Sequence, residues 1–203
     1  MRGRLLVLEG IDGAGKTTQA DILETRLRRE GVRVLRAREP GGTRIGERVR
    51  ALLLDARRVE MDARTELFLY MASRAQLVSE VLAPALARGR VVLLDRYYYS
   101  TAAYQGAAGG VGIDEALALA ERIAGFPRAD RVILLDLDPR TGMARVNRPM
   151  DRMEKKGIAY LARVRAGFLR IARREPRRFA VVPADRPPET VAGDVYRRVR
   201  NVL

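Results

Sequence analysis

Eight residues constrain this chain more than any others. Gly10-Ile11-Asp12-Gly13-Ala14-Gly15-Lys16-Thr17 follows an apolar run at 5–9 directly and opens a stretch of helical spacing at 17–30 that Gly31 stops. A G-x-x-x-x-G-K-S/T octet between strand and helix is the signature of a phosphate-binding loop. Its glycines let successive backbone amides converge at a helix N-terminus, where amide dipoles stabilise phosphate oxygens. Gly10, Asp12, Gly13, Ala14, Gly15, Lys16, Thr17 and Thr18 are therefore expected to cradle a nucleoside triphosphate. Lys16 would bridge the outer phosphates, and the Thr17 hydroxyl would ligate magnesium.

The rest of the chain repeats the strand-then-helix rhythm. Short apolar runs at 32–36, 91–95, 131–136 and 179–182 read as buried parallel strands. Helical spacing occupies 62–88 with an interruption near Pro84, then 113–124, 160–175 and 189–199. Strict alternation predicts an α/β fold of the P-loop NTPase type, a doubly wound five-stranded parallel sheet with helices on both faces. Residues 1–203 are expected to form one domain, with the phosphate loop at 10–17 and a lid at about 145–157. Segments 39–43, 55–61, 106–112 and 147–157 resist the pattern, and loops at strand carboxyl ends are where a binding crevice forms. Asp95 ends the third run, where a carboxylate could hold the metal directly or through water, or cap a helix. Asp136 and Asp138 flank the end of the fourth, and a cap before Pro139 is the better reading there.

Composition limits the chemistry. The chain has no Cys and no His, which excludes disulfides, thiol nucleophiles, histidine bases and nearly every zinc site. Only carboxylates, hydroxyls, amides, Lys, Arg and a hard cation such as magnesium remain. Net charge is +14; three of the 39 basic residues are lysines (Lys16, Lys155, Lys156) and the other 36 are arginines, scattered through almost every segment. Most of that charge reads as an arginine-biased composition with a functional subset inside it. The N-terminus turns acidic and glycine-rich after five apolar residues, and no stretch reaches membrane-spanning length, so a cytoplasmic protein is expected.

Three further groups of residues carry a resemblance. Glu9 through Gln19, then Arg38-Glu39-Pro40-Gly41-Gly42-Thr43, then Asp95-Arg96-Tyr97 with Ser100, Ala103, Tyr104 and Gln105 together resemble the signatures of bacterial thymidylate kinases, in their order and spacing, across nearly the whole chain. The resemblance implies phosphoryl transfer from ATP with Mg2+ to dTMP, giving dTDP and ADP for dTTP synthesis. It implies that Arg50 and Arg96 hold the acceptor phosphate, that Glu39 belongs to the acceptor site, and that Thr17 and Asp95 serve the metal. Arg74 would hydrogen-bond the thymine edge, Thr101 and Gln105 would read the opposite edge, and Tyr70 would stack on the base where the family usually has phenylalanine. Phe68 is expected in the core. Tyr104 would crowd the sugar's 2′ position, and Asp12 would face the 3′ hydroxyl.

One subclass of that family carries a basic residue inside the phosphate loop; here that place is Gly13. The other delivers the charge from the lid, which Asp151-Arg152 with Glu154 resembles. Arg152 is thus expected as the main transition-state arginine beside catalytic Lys16 and Arg96, with Arg148 or Arg145 in support. After the last strand the family commonly has Asp-Ala near the adenine, whereas this chain reads Pro183-Ala184-Asp185. A homodimer is implied, and the nearly all-round apolar helix at 66–82 could supply its interface. No membrane or specific nucleic-acid partner is expected. Two alternatives stay open: a kinase for another deoxynucleotide or a deoxynucleoside, and a non-catalytic nucleotide switch that binds nucleic acid. Dispersed arginines and 5% aromatic residues give the switch little support.

Overall fold

The computed structural model describes residues 3–57 and 61–203. Five strands form one parallel sheet: β1 (Arg4–Glu9), β2 (Val34–Arg38), β3 (Val91–Asp95), β4 (Arg131–Asp136) and β5 (Phe179–Pro183), in the order β2-β3-β1-β4-β5. Consecutive residues of β1, β3 and β4 are buried, as continuous apolar runs require when both faces of a sheet are covered. Strand order reverses around β1, so the phosphate loop leaves the sheet where the crevice of a doubly wound fold opens. Register brings Leu8 and Arg38 both beside Asp95, gathering charged residues at the strands' carboxyl ends.

The helices are α1 (Lys16–Arg29), α2 (Arg44–Leu54), α3 (Ala63–Leu77), α4 (Ala83–Ala87), α5 (Tyr98–Thr101), α6 (Ile113–Ala118), α7 (Pro139–Arg145), α8 (Ile158–Arg174) and α9 (Pro188–Arg200). π-Helical turns continue three of them, at Val78–Leu82, Ala102–Ala108 and Leu119–Ile123. No helix among the described residues is long and apolar enough to cross a membrane.

Four differences from the sequence reading have local causes. β2 starts at Val34 and not at Val32, because Val32 N–H closes the end of α1 on Leu27 O, 3.0 Å away. The helix at 62–88 is not cut at Pro84, because the π-helical turn before it accommodates a residue with no N–H, and Pro84 sits in the first turn of α4. α2 is absent from the helical segments of the sequence reading, and Thr43 Oγ1, accepting Gly46 N–H at 2.9 Å, caps its start. Phe68, expected in the core, is 61% exposed: α3 buries Leu67, Met71 and Arg74, and Phe68 falls on its outer side. Of the irregular segment 55–61, Arg58, Val59 and Glu60 lie outside the described residues. Asp138 caps α7 by accepting Arg140 N–H, with Pro139 in the first turn.

Candidate active site

A cleft of about 860 Å³ opens at the carboxyl ends of the strands. Its floor is the phosphate loop. Gly15 is left-handed (φ 87°), as only glycine adopts readily, and α1 begins behind it with no side-chain cap and no acid in its first turn. The helix thus leaves its first N–H groups open to an anion. A Cβ at Gly13 would overlap the Gly142 carbonyl oxygen of α7, so no basic side chain can stand at that position. The cation must come from elsewhere. Lys16, 8% exposed, folds its ammonium back on the carbonyls of Gly10 and Ile11 at 3.1 and 2.9 Å. Burial and the nearby Arg96 charge lower its pKa from the ordinary value.

Thr17 Oγ1 stands 3.5 Å from Asp95 Oδ2, and Asp95 Oδ1 is buried with no hydrogen-bond partner among the described residues. A hydroxyl and a half-satisfied carboxylate beside a phosphate cradle fit a hard divalent cation, whose remaining ligands would be phosphate oxygens and water.

Arg96 is the centre of the charge arrangement. Its Nη1 donates to Gly10 O at 3.0 Å and Ser100 Oγ at 3.1 Å; its Nη2 donates to Asp12 Oδ1 at 2.8 Å and the Tyr104 hydroxyl at 3.3 Å. Its backbone is left-handed, φ 67°, alone in this among the described non-glycine residues. Burial disfavours its charge, but Asp12, Tyr104 and Glu9 more than offset that and raise its pKa well above the ordinary value. Burial likewise opposes ionisation of Asp12, but Arg96 and Lys16 outweigh it and hold the carboxyl below the ordinary range. Arg50 lines the same cleft and donates to Pro40 O at 2.9 Å. Burial, then Arg38 and to a lesser degree Arg96, push its pKa down despite Glu47. Cations crowded until they repel one another mark a place that awaits an anion.

Tyr70, Thr101, Tyr104 and Gln105 line the cleft beyond these arginines. Arg74 does not reach the wall. It is 1% exposed, pairs with Glu39 Oε2 at 2.5–2.6 Å, and donates to Thr101 Oγ1 at 3.2 Å. Burial raises the Glu39 pKa against the Arg74 charge. The far wall was harder to read from sequence: Arg145, Ala184, Arg186, Pro188 and Val191 contribute there with Gln19. Only the residue pair after the last strand pointed to it; Ala184 O accepts from Arg145 Nη1 at 2.9 Å, while Asp185 is not among the lining residues.

The lid departs from expectation. Arg152 is 2% exposed and turned away from the cleft: its Nε donates to Leu53 O at 2.8 Å and its Nη1 to Glu66. The guanidinium of this lid residue is captured by a buried carboxylate of α3. Arg148 instead lines the cleft, half exposed, gripped on both nitrogens by buried Glu154 at 2.8 and 2.9 Å.

Beneath the site, Glu9 is fully buried and accepts from Tyr97 N at 2.8 Å, Ser100 N at 3.1 Å and Ser100 Oγ at 2.6 Å. It ties the segment carrying Arg96 to β1. Burial pushes its pKa from 4.5 up to about 7, against the pull of Arg96 and Ser100. Between pH 4.5 and 7 the unfolded chain has therefore released a proton that the folded chain retains, so this group's contribution to stability falls as pH rises, by roughly 3 kcal/mol in all. Urea denaturation from pH 4 to 8 is expected to show this decline in the wild type relative to Glu9→Gln; parallel profiles would contradict it.

Comparison with known proteins gives a consistent picture. The family model described as thymidylate kinase matches residues 8–195. The chain is similar to the thymidylate kinase of Deinococcus radiodurans, 46% identical over 200 residues that cover 98% of this chain and 97% of that one. It is similar to that of Desulforudis audaxviator, 44% identical over 205 residues covering 100% and 93%. The crystal structure of thymidylate kinase from Ehrlichia chaffeensis superposes with a TM-score of 0.80 at 29% identity, covering 97% of this chain and 98% of that one.

Proposed function

The chain belongs to the thymidylate kinase family, and from that premise we propose that it transfers the γ-phosphoryl group of ATP to dTMP through the residues gathered in this cleft. A 5′-phosphate oxygen of dTMP attacks the γ-phosphorus, the bond to the β-phosphate oxygen breaks, and dTDP and ADP leave. The acceptor phosphate, with a second pKa of about 6, is mostly ionised at neutral pH, so no base need remove a proton. Absence of histidine therefore costs the reaction nothing.

The difficulty is electrostatic. Two unit charges of like sign about 4 Å apart repel by about 4 kcal/mol at an effective dielectric of 20, and both substrates carry several. The loop amides and Lys16 hold the triphosphate, and Arg50 and Arg96 hold the acceptor phosphate with planar forks. Thr17 and Asp95 would hold Mg2+, which when bound neutralises charge on the outer phosphates. Tyr70 offers a face to the base, Thr101 and Gln105 polar edges, and Tyr104 and Asp12 a wall for the sugar. From the lid, Arg148 with Arg145 in support faces the transferring group, and Arg152 serves as a positioning residue. Lid closure would also exclude water and spare ATP from hydrolysis. A homodimer is part of this reading, supported by the apolar Phe68 exposed on the outer side of α3.

The observation that carries the proposal is the position of Arg96: its guanidinium touches the phosphate loop at Gly10 O and faces the same cleft as Arg50. The test is ADP release from Mg-ATP against dTMP, dUMP, dCMP, dGMP, UMP and thymidine. dTMP is expected to give the highest kcat/KM. Release stimulated by thymidine and not by dTMP, or by none of the six, would refute it.

A further inference from the structure

Glu66 lies in the first turn of α3, with a fully buried side chain. Its two oxygens divide their work. Oε1 accepts from Arg152 Nη1 and from Lys156 Nζ at 2.6 Å, two cations delivered by the lid. Oε2 accepts from Gln105 Nε2 at 2.9 Å. These hydrogen bonds more than offset the cost of burial and lower the Glu66 pKa.

The consequence lies in Gln105. Its amide has a donor end and an acceptor end, and only the donor end can face an ionised carboxylate. The carbonyl Oε1 is then the end left over. Gln105 is 1% exposed, lines the cleft next to Thr101, and its Oε1 meets no donor among the described residues. The cleft thus presents a fixed acceptor at its base-reading wall.

We infer that Glu66 is a specificity-positioning residue: by holding the Gln105 amide in one sense, it makes the site select pyrimidine bases that carry an N3–H over those whose N3 is an acceptor. This rests on the acceptor reading proposed above. Thymine and uracil have an N3–H to donate to Gln105 Oε1. Cytosine turns a lone pair toward it, leaving two buried acceptors face to face, and polar groups left unpaired in such a site give strong rejection. The lid enters through Oε1 of Glu66, since Arg152 and Lys156 keep the carboxylate ionised.

Glu66→Gln makes the inference testable because its outcome is directional. The substituted amide is expected to keep its oxygen toward the two cations, and its NH2 then replaces Oε2 opposite Gln105. Two NH2 groups cannot face each other, so Gln105 inverts and offers a donor to the cleft. Steady-state kinetics should show the dTMP/dCMP ratio of kcat/KM falling at least tenfold, chiefly through a higher KM for dTMP and a lower one for dCMP. The dTMP/dUMP ratio should stay within threefold, because both bases carry the N3–H. In a Gln105→Met background, Glu66→Gln should change neither ratio further. An unchanged dTMP/dCMP ratio, or an equal loss of kcat on all three substrates, would overturn the proposal. If Glu66→Gln folds poorly, Gln105→Met alone reads the same quantity with the buried ion pairs intact, and an unchanged ratio there overturns it too. Failure of the wild-type enzyme to phosphorylate dTMP would instead refute the acceptor reading beneath it.

Discussion

Replacing Arg96 with methionine is expected to lower kcat/KM for dTMP by at least about a thousandfold, close to 4 kcal/mol of transition-state stabilisation. The reason is the number of tasks that meet on one guanidinium. Arg96 bonds the loop carbonyl of Gly10, the Asp12 carboxylate and Ser100 Oγ, so it sets the spacing between the triphosphate cradle and the acceptor. Its left-handed backbone, at φ 67°, costs on the order of 1–2 kcal/mol for a residue with a Cβ. Such strain persists where the surroundings impose it, and here Glu9 pins the next residues from below. Arg96→Lys should keep the charge and lose the fork, recovering only part of the rate. Steady-state kinetics with dTMP varied at saturating Mg-ATP checks this: a loss below tenfold in Arg96→Met would remove Arg96 from the acceptor clamp.

The same residue shows what was legible in the chain and what was not. The phosphate loop could be read because its cause is local: strand, glycines, Lys16 and helix are contiguous. β3 and β4 could be read to the residue because an apolar run between polar ends has little freedom. The region from Tyr97 to Ala108 could not. Three adjacent tyrosines and a π-helical turn have no period of 2 or 3.6, although Tyr97, Tyr98 and Tyr99 are wholly buried. The role of Glu66 had no signal in the sequence because its partners, Arg152 and Lys156, are 86 and 90 residues away. For the same reason the lid arginines could be recognised as a group but not told apart. Their neighbours in sequence say nothing of which one meets a buried acid on another element.

That distinction sets the last expected result, in which Arg148 and Arg152 fail in different ways. Arg148 is held as a rigid fork by Glu154, itself fully buried and anchored by Asp151 N–H, while half of its own surface remains open to the cleft. A guanidinium already oriented loses little freedom when charge develops on the transferring group, and arginines of this kind contribute up to 10³–10⁵ in rate in related phosphoryl transfers. Arg148→Ala should therefore lower kcat about 10²- to 10³-fold with little change in KM for dTMP. It should lose stability as well, because it leaves the buried Glu154 carboxylate with Asp151 N–H as its remaining partner among the described residues. Arg152 faces Glu66 inside the protein, and deleting one partner of a buried ion pair costs about 3–5 kcal/mol. Lys156 still pairs with Glu66, which places Arg152→Ala at the lower end of that range. Denaturant titration and single-turnover kinetics on both variants separate the two roles. A kcat loss confined to Arg152→Ala, with its stability intact, would return the transition-state contact to Arg152 and mean that the lid rotates about Glu66 during turnover.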